Sequence, residues 1–163
     1  MTRTFAQRDK QAGVGLIEVL IAVLVLSIGF LGMAALQTKA LSNNNSAMMR
    51  TQAVVASYTI LDAMRVDRAA ALAGGYNTTM TFGTNGQCTS SPSVSGLANT
   101  QLQEWCEGVG SGDATTGLAG LGAGTTGGVN CDNRGVCVVT ITFDDDKSTG
   151  GDSAEQVVTR ARI

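Results

Sequence analysis

Histidine is absent from the 163 residues. That removes the side chain most used as a general acid or base near neutral pH, and the commonest imidazole metal ligand, so enzyme readings start behind. Proline occurs once, at Pro92, and the stretch from Leu36 to Leu72 has none to interrupt a helix. None of the four cysteines stands in a C-x-x-C pair, so zinc ribbons and thioredoxin-like redox sites lack their spacing. Charged residues are only 15% of the chain and form no basic patch of the kind that binds nucleic acid. No cofactor and no metal site are expected.

What is present is a long apolar run. Gly13 to Leu36 reads GVGLIEVLIAVLVLSIGFLGMAAL, with Glu18 as its single charge. Bilayer hydrocarbon needs roughly 20 consecutive apolar residues in a helix, and Val14 to Leu36 meets that length. An ionised carboxylate at bilayer depth costs on the order of 2.5–3.5 kcal/mol, so Glu18 needs a partner. Upstream, Arg3, Arg8 and Lys10 outnumber Asp9, which keeps this end cytoplasmic and places the bulk of the chain outside. A secretory signal puts its small-residue cleavage site after the apolar core, whereas here Gly13 precedes it. Beyond residue 13 there are eight basic and twelve acidic residues, a net charge of −4.

A short basic leader, then Gly13, then Val14-Gly15-Leu16-Ile17-Glu18-Val19 opening the apolar helix, resembles the type III signal of type IV pilins and pseudopilins. The resemblance implies cleavage between Gly13 and Val14 by prepilin peptidase and methylation of the new amino terminus on Val14. It also implies an assembly role for Glu18, fifth in the mature chain, whose carboxylate would meet the protonated amino terminus of a neighbouring subunit. Val14 stands where the family usually has Phe, Gly15 where it has Thr, and Ala35 where major pilins often carry proline. Gly29 and Gly32, poor helix formers, are the residues expected to loosen the helix instead. A plain signal anchor is the bland alternative.

The rest divides into a helical continuation over 37–75 and a head over 76–163. Val54, Tyr58, Leu61, Met64, Ala71 and Leu72 lie near helical spacing, and the stripe at Val54, Tyr58 and Leu61 is expected to pack under the head. Ser42-Asn43-Asn44-Asn45-Ser46 is expected to bend or interrupt the helix, and Gly74-Gly75 to stop it. Tyr76 to Phe82 suggests a short strand. Ala98, Leu102, Trp105 and Cys106 suggest a short helix, with Trp105 as a core anchor. From Gly108 to Gly128, nine of 21 residues are glycine, which reads as loop; the G-x-G-x-x-G at Gly122, Gly124 and Gly127 follows no strand and is weak for nucleotides. Gly135 to Phe143 alternates as the clearest strand, with Gln156 to Ile163 as its partner and Val157, Thr159, Ala161 and Ile163 on one face. Between them, Asp144-Asp145-Asp146-Lys147 has carboxylates suited to calcium but no EF-hand spacing, so it reads as a solvated loop.

Cys88, Cys106, Cys131 and Cys137 all fall on the exported side, where disulfides persist. Four cysteines allow three pairings; Cys88–Cys106 with Cys131–Cys137 closes the two short loops.

The expected class is α+β: a long N-terminal helix, transmembrane and then amphipathic, packed against a small antiparallel sheet, pilin-like throughout. The opening G-x-x-LIEVLIA-x-x-VLS-x-G-x-LG, the Trp-bearing middle helix and the terminal VTI-x-F-DD hairpin resemble minor pilins of the PilV type, the type IV pilus modification proteins. That likeness implies a non-enzymatic protein that helps start fibre assembly and forms part of the tip, supporting adhesion and twitching motility. Its implied partners are prepilin peptidase, other minor pilins, the major pilin and a tip adhesin. Its implied location is the bacterial inner membrane with the head in the periplasm, then the cell surface after assembly. The rivals are a minor pseudopilin of type II secretion and a membrane-anchored periplasmic binding domain.

Overall fold

Leucine and alanine, both strong helix formers, are the commonest residues from Leu16 to Val66 and proline is missing there, and a single α-helix, α1 (Leu16–Val66), results. A computed structural model describes residues 15–89, 96–108, 116–145 and 154–163. The chain forms two compact units, 1–38 and 39–163, and α1 contributes to both. Gly13, Val14, Pro92, Asp146, Lys147 and residues 109–115 of the glycine-rich tract lie outside the described residues.

The Ser42–Ser46 run does not interrupt α1. Serine and asparagine disfavour helix by at most ~0.7 kcal/mol each relative to alanine, which strong helix formers on both sides offset. The helix breaks later, at Asp67 (φ −110°, ψ 52°), and resumes as α2 (Arg68–Leu72). The helical continuation expected over 37–75 is therefore broken, but at Asp67 and not at Ser42–Ser46. Gly74 and Gly75 end α2: Gly75 N–H donates to Ala70 O (2.8 Å) and Gly74 N–H to Ala71 O (3.1 Å), a Schellman closure that needs the positive φ of Gly74 (81°).

In the second unit the strands are β1 (Thr78–Phe82), β2 (Cys88–Thr89), β3 (Thr126–Cys131), β4 (Val136–Phe143) and β5 (Glu155–Arg162). They form one antiparallel sheet in the order β2-β1-β3-β4-β5. A helix, α3 (Leu97–Glu107), and a 3-10 turn at Ala119–Leu121 complete the unit. The protein is thus α+β, a long N-terminal helix packed on a small antiparallel sheet.

The buried stripe of α1 is Ala53, Ala56, Ser57, Ile60, Leu61 and Met64, spaced three and four apart. Fully burying residues such as Ile60, Leu61 and Met64 stabilises by about 1.5–3 kcal/mol each. Val54 (38% exposed) and Tyr58 (52% exposed) are not in it, contrary to the sequence expectation. The real stripe is built on small residues because the sheet and α3 come close here. Trp105 Nε1–H donates to Ala56 O (2.8 Å), and the hydroxyls of Ser57 and Thr159 lie 2.8 Å apart.

The tract 108–128, expected as loop, contributes packed structure. Leu118, Ala119 and Leu121 are buried, and β3 begins at Thr126. Gly127 is a glycine for a packing reason: a Cβ there would stand 2.3 Å from Trp105 Cη2 and 2.6 Å from Leu118 Cδ1. The indole lies against bare backbone of β3. Gly122 (φ 99°) and Gly124 (φ 89°) turn the chain into the strand, and Gly124 N–H donates to Phe82 O (2.8 Å). The G-x-G-x-x-G is a turn and a seat for a ring.

Two disulfides hold this unit. Cys88–Cys106 (Cα–Cα 6.2 Å) ties β2 to α3, and Cys131–Cys137 joins directly opposed residues of β3 and β4. By chain entropy alone the wider loop stabilises by about 3 kcal/mol and the narrower by about 2 kcal/mol.

Candidate functional site

The first unit exposes what a soluble protein hides. Every described residue up to Thr38 is exposed, and Leu36, at 70%, is typical of a row that includes Leu16, Ile17, Leu24, Phe30 and Leu31. A contiguous apolar surface of this length calls for lipid or other apolar helices around it. Its hydroxyls are already satisfied for such a medium: Ser27 donates to Val23 O (2.7 Å) and Thr38 to Ala34 O (3.0 Å).

Glu18 is the one charge between Gly15 and Thr38 and sits in the first turn of α1. The helix dipole favours a carboxylate at that end, and Glu18 N–H donates to Gly15 O (2.9 Å). Gly29 and Gly32 keep helical backbone, and a Cβ added to either would meet nothing within 4 Å. Both leave bare backbone at the surface of the helix.

Residues 8–34 match the family model described as the prokaryotic N-terminal methylation motif. The chain carries a type IV pilin-like prepilin leader. No curated protein and no solved structure matches it. The prepilin leader implies processing by prepilin peptidase and assembly with other pilins, and with the long apolar helix it is consistent with an inner-membrane-anchored protein. The matched span includes Gly13, Val14 and Glu18, of which Glu18 is among the described residues.

In the acidic run after β4, expected as a solvated loop, Asp144 is exposed but Asp145 is not, and Asp146 and Lys147 lie outside the described residues. Asp145 is 2% exposed: Ser46 donates its hydroxyl to Asp145 Oδ2, and Arg50 stands 3.9 Å from the same atom and 3.2 Å from Glu155 Oε1. One turn of α1 therefore clamps the end of β4 and the start of β5. Among the described residues no group of three acidic or cysteine side chains is placed to hold a metal ion. Sequence reasoning missed Ser46 and Arg50. No local signal marks either: Ser46 ends a polar run and Arg50 has the half-exposed side chain of a surface arginine.

Tyr76, expected to open the first strand, lies outside it. It is buried ahead of β1, its hydroxyl donating to Gln101 Oε1 and lying 3.5 Å from Asp67 Oδ2. Burial, with Asp67 beside it, pushes its phenol up to about 12. The folded state thus holds Tyr76 neutral, a contribution fully present below the ordinary value of 10 and lost as pH rises from there through about 12. We expect stability of the wild-type chain to fall across that alkaline window. Tyr76→Phe should be less stable at neutral pH by about 1 kcal/mol for the lost hydrogen bond. The gap between the two should close above pH 10, as followed by thermal unfolding at stepped pH. A gap that stays constant would show that the phenol titrates alike in both states.

Proposed function

We propose that this protein is a minor pilin of the PilV type that helps initiate type IV pilus assembly and forms part of the tip complex. One observation carries the reading. A helix bearing a prepilin leader exposes all of its apolar length and keeps one carboxylate, Glu18, in its first turn. The apolar length suits insertion in the inner membrane before assembly and lateral packing with other pilin helices afterwards. A carboxylate in that setting is stabilised by a cation, and an adjacent subunit's protonated, methylated amino terminus supplies one. In this reading Gly13 and Val14 flank the cut, Val14 carries the methyl group, and the head provides contacts to other minor pilins, the major pilin and a tip adhesin. The role is structural, and adhesion and twitching motility depend on it indirectly.

Mass spectrometry of the mature chain tests the first step: it should begin at N-methylated Val14. A chain that retains Met1 to Gly13 in cells with active prepilin peptidase would sink the reading. Co-purification after membrane solubilisation tests the second. Pilus subunits are the expected companions; a type II secretion apparatus in their place would make the protein a pseudopilin.

A further inference from the structure

The two edges of the sheet are finished differently. At one edge β2 has two residues, Cys88 is bonded to Cys106 of α3, and Cys88 N–H donates to Glu107 Oε1 (3.3 Å). That edge is short and closed. At the other, β5 runs eight residues without proline, glycine or bulge and keeps unbroken register with β4. Long regular edges are normally blunted, because their free N–H and C=O groups recruit other strands.

Ladder parity identifies the free groups. Ile163 N–H donates to Gly135 O (2.9 Å), so residues 157, 159 and 161 take the hydrogen-bonded positions opposite β4. Gln156, Val158, Arg160 and Arg162 then direct their N–H and C=O away from the sheet. Their side chains are the exposed ones, with Val158 at 56%. Among the described residues no strand pairs with this side.

The edge also has a sign. Arg160 and Arg162 lie two apart on its exposed face; Arg134, in the neighbouring β3–β4 turn, stands 3.9 Å from Asp132 Oδ2 and is balanced by it, so the positive sign comes from the two arginines of β5. Asp132, the carboxylate of that turn, is already engaged: it accepts from the backbone N–H of Val136 (2.8 Å) and of Arg134 (2.9 Å). Those hydrogen bonds, and the charges of Arg134 and Arg160, hold its carboxyl below the usual range. On the exposed face a second copy of β5 would bring Gln156, Val158, Arg160 and Arg162 but no carboxylate, since Glu155 lies on the other face and is held by Arg50, so self-pairing is disfavoured.

We propose that β5 is a docking edge for an extended acidic segment of another polypeptide, which adds as a sixth, antiparallel strand. Its backbone takes the free groups of Gln156, Val158, Arg160 and Arg162. Carboxylates two residues apart face Arg160 and Arg162, and an apolar residue two further on covers Val158. This does not depend on a pilus role.

The test uses the full chain in detergent and a synthetic seven-residue peptide with glutamate at positions one and three, valine at five and threonine between. Residue-by-residue amide exchange should slow at Val158 and Arg160 when the peptide is added. Replacing both glutamates by lysine should abolish the effect. The double variant Arg160→Glu with Arg162→Glu should weaken binding ~tenfold, the scale of two exposed ion pairs, and should prefer the lysine peptide. Val158→Pro removes only an outward N–H, so it should lose binding with its circular dichroism unchanged. Equal binding of both peptides, or protection confined to other amides, would overturn the proposal. So would a flexible polyanion such as heparin slowing the same amides equally, since that makes the edge a charge patch and not a strand acceptor.

Discussion

Glu18→Ala is expected to yield a processed, membrane-inserted, fully folded protein that fails to enter fibres. Folding should survive because the hydrophobic core begins at Ala53 and no described residue of the first unit is part of it. Insertion should be as good or better, since the change removes a charge from an apolar helix. The loss falls on assembly. Under the proposed function the substitution leaves a neighbour's ammonium unpaired in lipid, a penalty on the order of 2.5–3.5 kcal/mol, or roughly a hundredfold in the incorporation equilibrium. Immunoblots of sheared pili against membranes read the ratio directly. Unchanged incorporation of a processed Glu18→Ala protein would remove the pairing mechanism, and with it the main reason for placing this chain inside a fibre.

Trp105→Ala should be the most damaging single change in the head. Large aromatic-to-alanine truncations in cores cost about 3–5 kcal/mol, and this one also removes the hydrogen bond to Ala56 O. Against a typical total of 5–15 kcal/mol, that brings the unit near unfolding. Gly127→Ala attacks the same contact from the other side. Its new Cβ would collide with the indole, and overpacking of this kind costs about 1–3 kcal/mol. The two should not add. With the ring gone, Leu118 has room to withdraw and Gly127→Ala becomes close to neutral, so the double-mutant cycle should show coupling of at least about 1 kcal/mol. Urea unfolding of the four proteins supplies the cycle. If Gly127→Ala costs the same in both backgrounds, the glycine is not there for the ring.

The pair Trp105 and Gly127 also shows why part of this fold was hidden in the sequence. β4 and β5 were legible because their residues alternate: Cys137, Val139, Ile141 and Phe143 point inward and the residues between them do not. β3 was not legible, because two of its six positions are the glycines Gly127 and Gly128, and a strand whose inward position is filled by a ring from elsewhere has no hydrophobic pattern to display. The stripe on α1 was misplaced for a related reason. Large residues at Val54 and Tyr58 outweighed Ala53, Ala56 and Ser57, yet small side chains are what let a sheet approach a helix. Nothing local marks the break at Asp67, which sits among good helix formers. Glu18, in contrast, was plain in the sequence, since a lone charge in an apolar run stands out without any tertiary information. Asp145 could not be found in that way: its partner Ser46 is 99 residues distant, and only the folded chain brings them together.

The clamp made by Ser46 and Arg50 has a bearing on how this protein can vary. Asp145 and Glu155 are held to the same turn of α1, so the two ends of the β4–β5 connection are pinned independently of whatever chain runs between them. Closing a longer loop between fixed ends adds only about 0.6 kcal/mol for each doubling of its length. We therefore expect the connection to serve as a graft port: tags, epitopes or binding modules inserted there should leave the register of the last two strands to their own ladder and to the clamp on α1, with unchanged amide protection in β4 and β5 as the check.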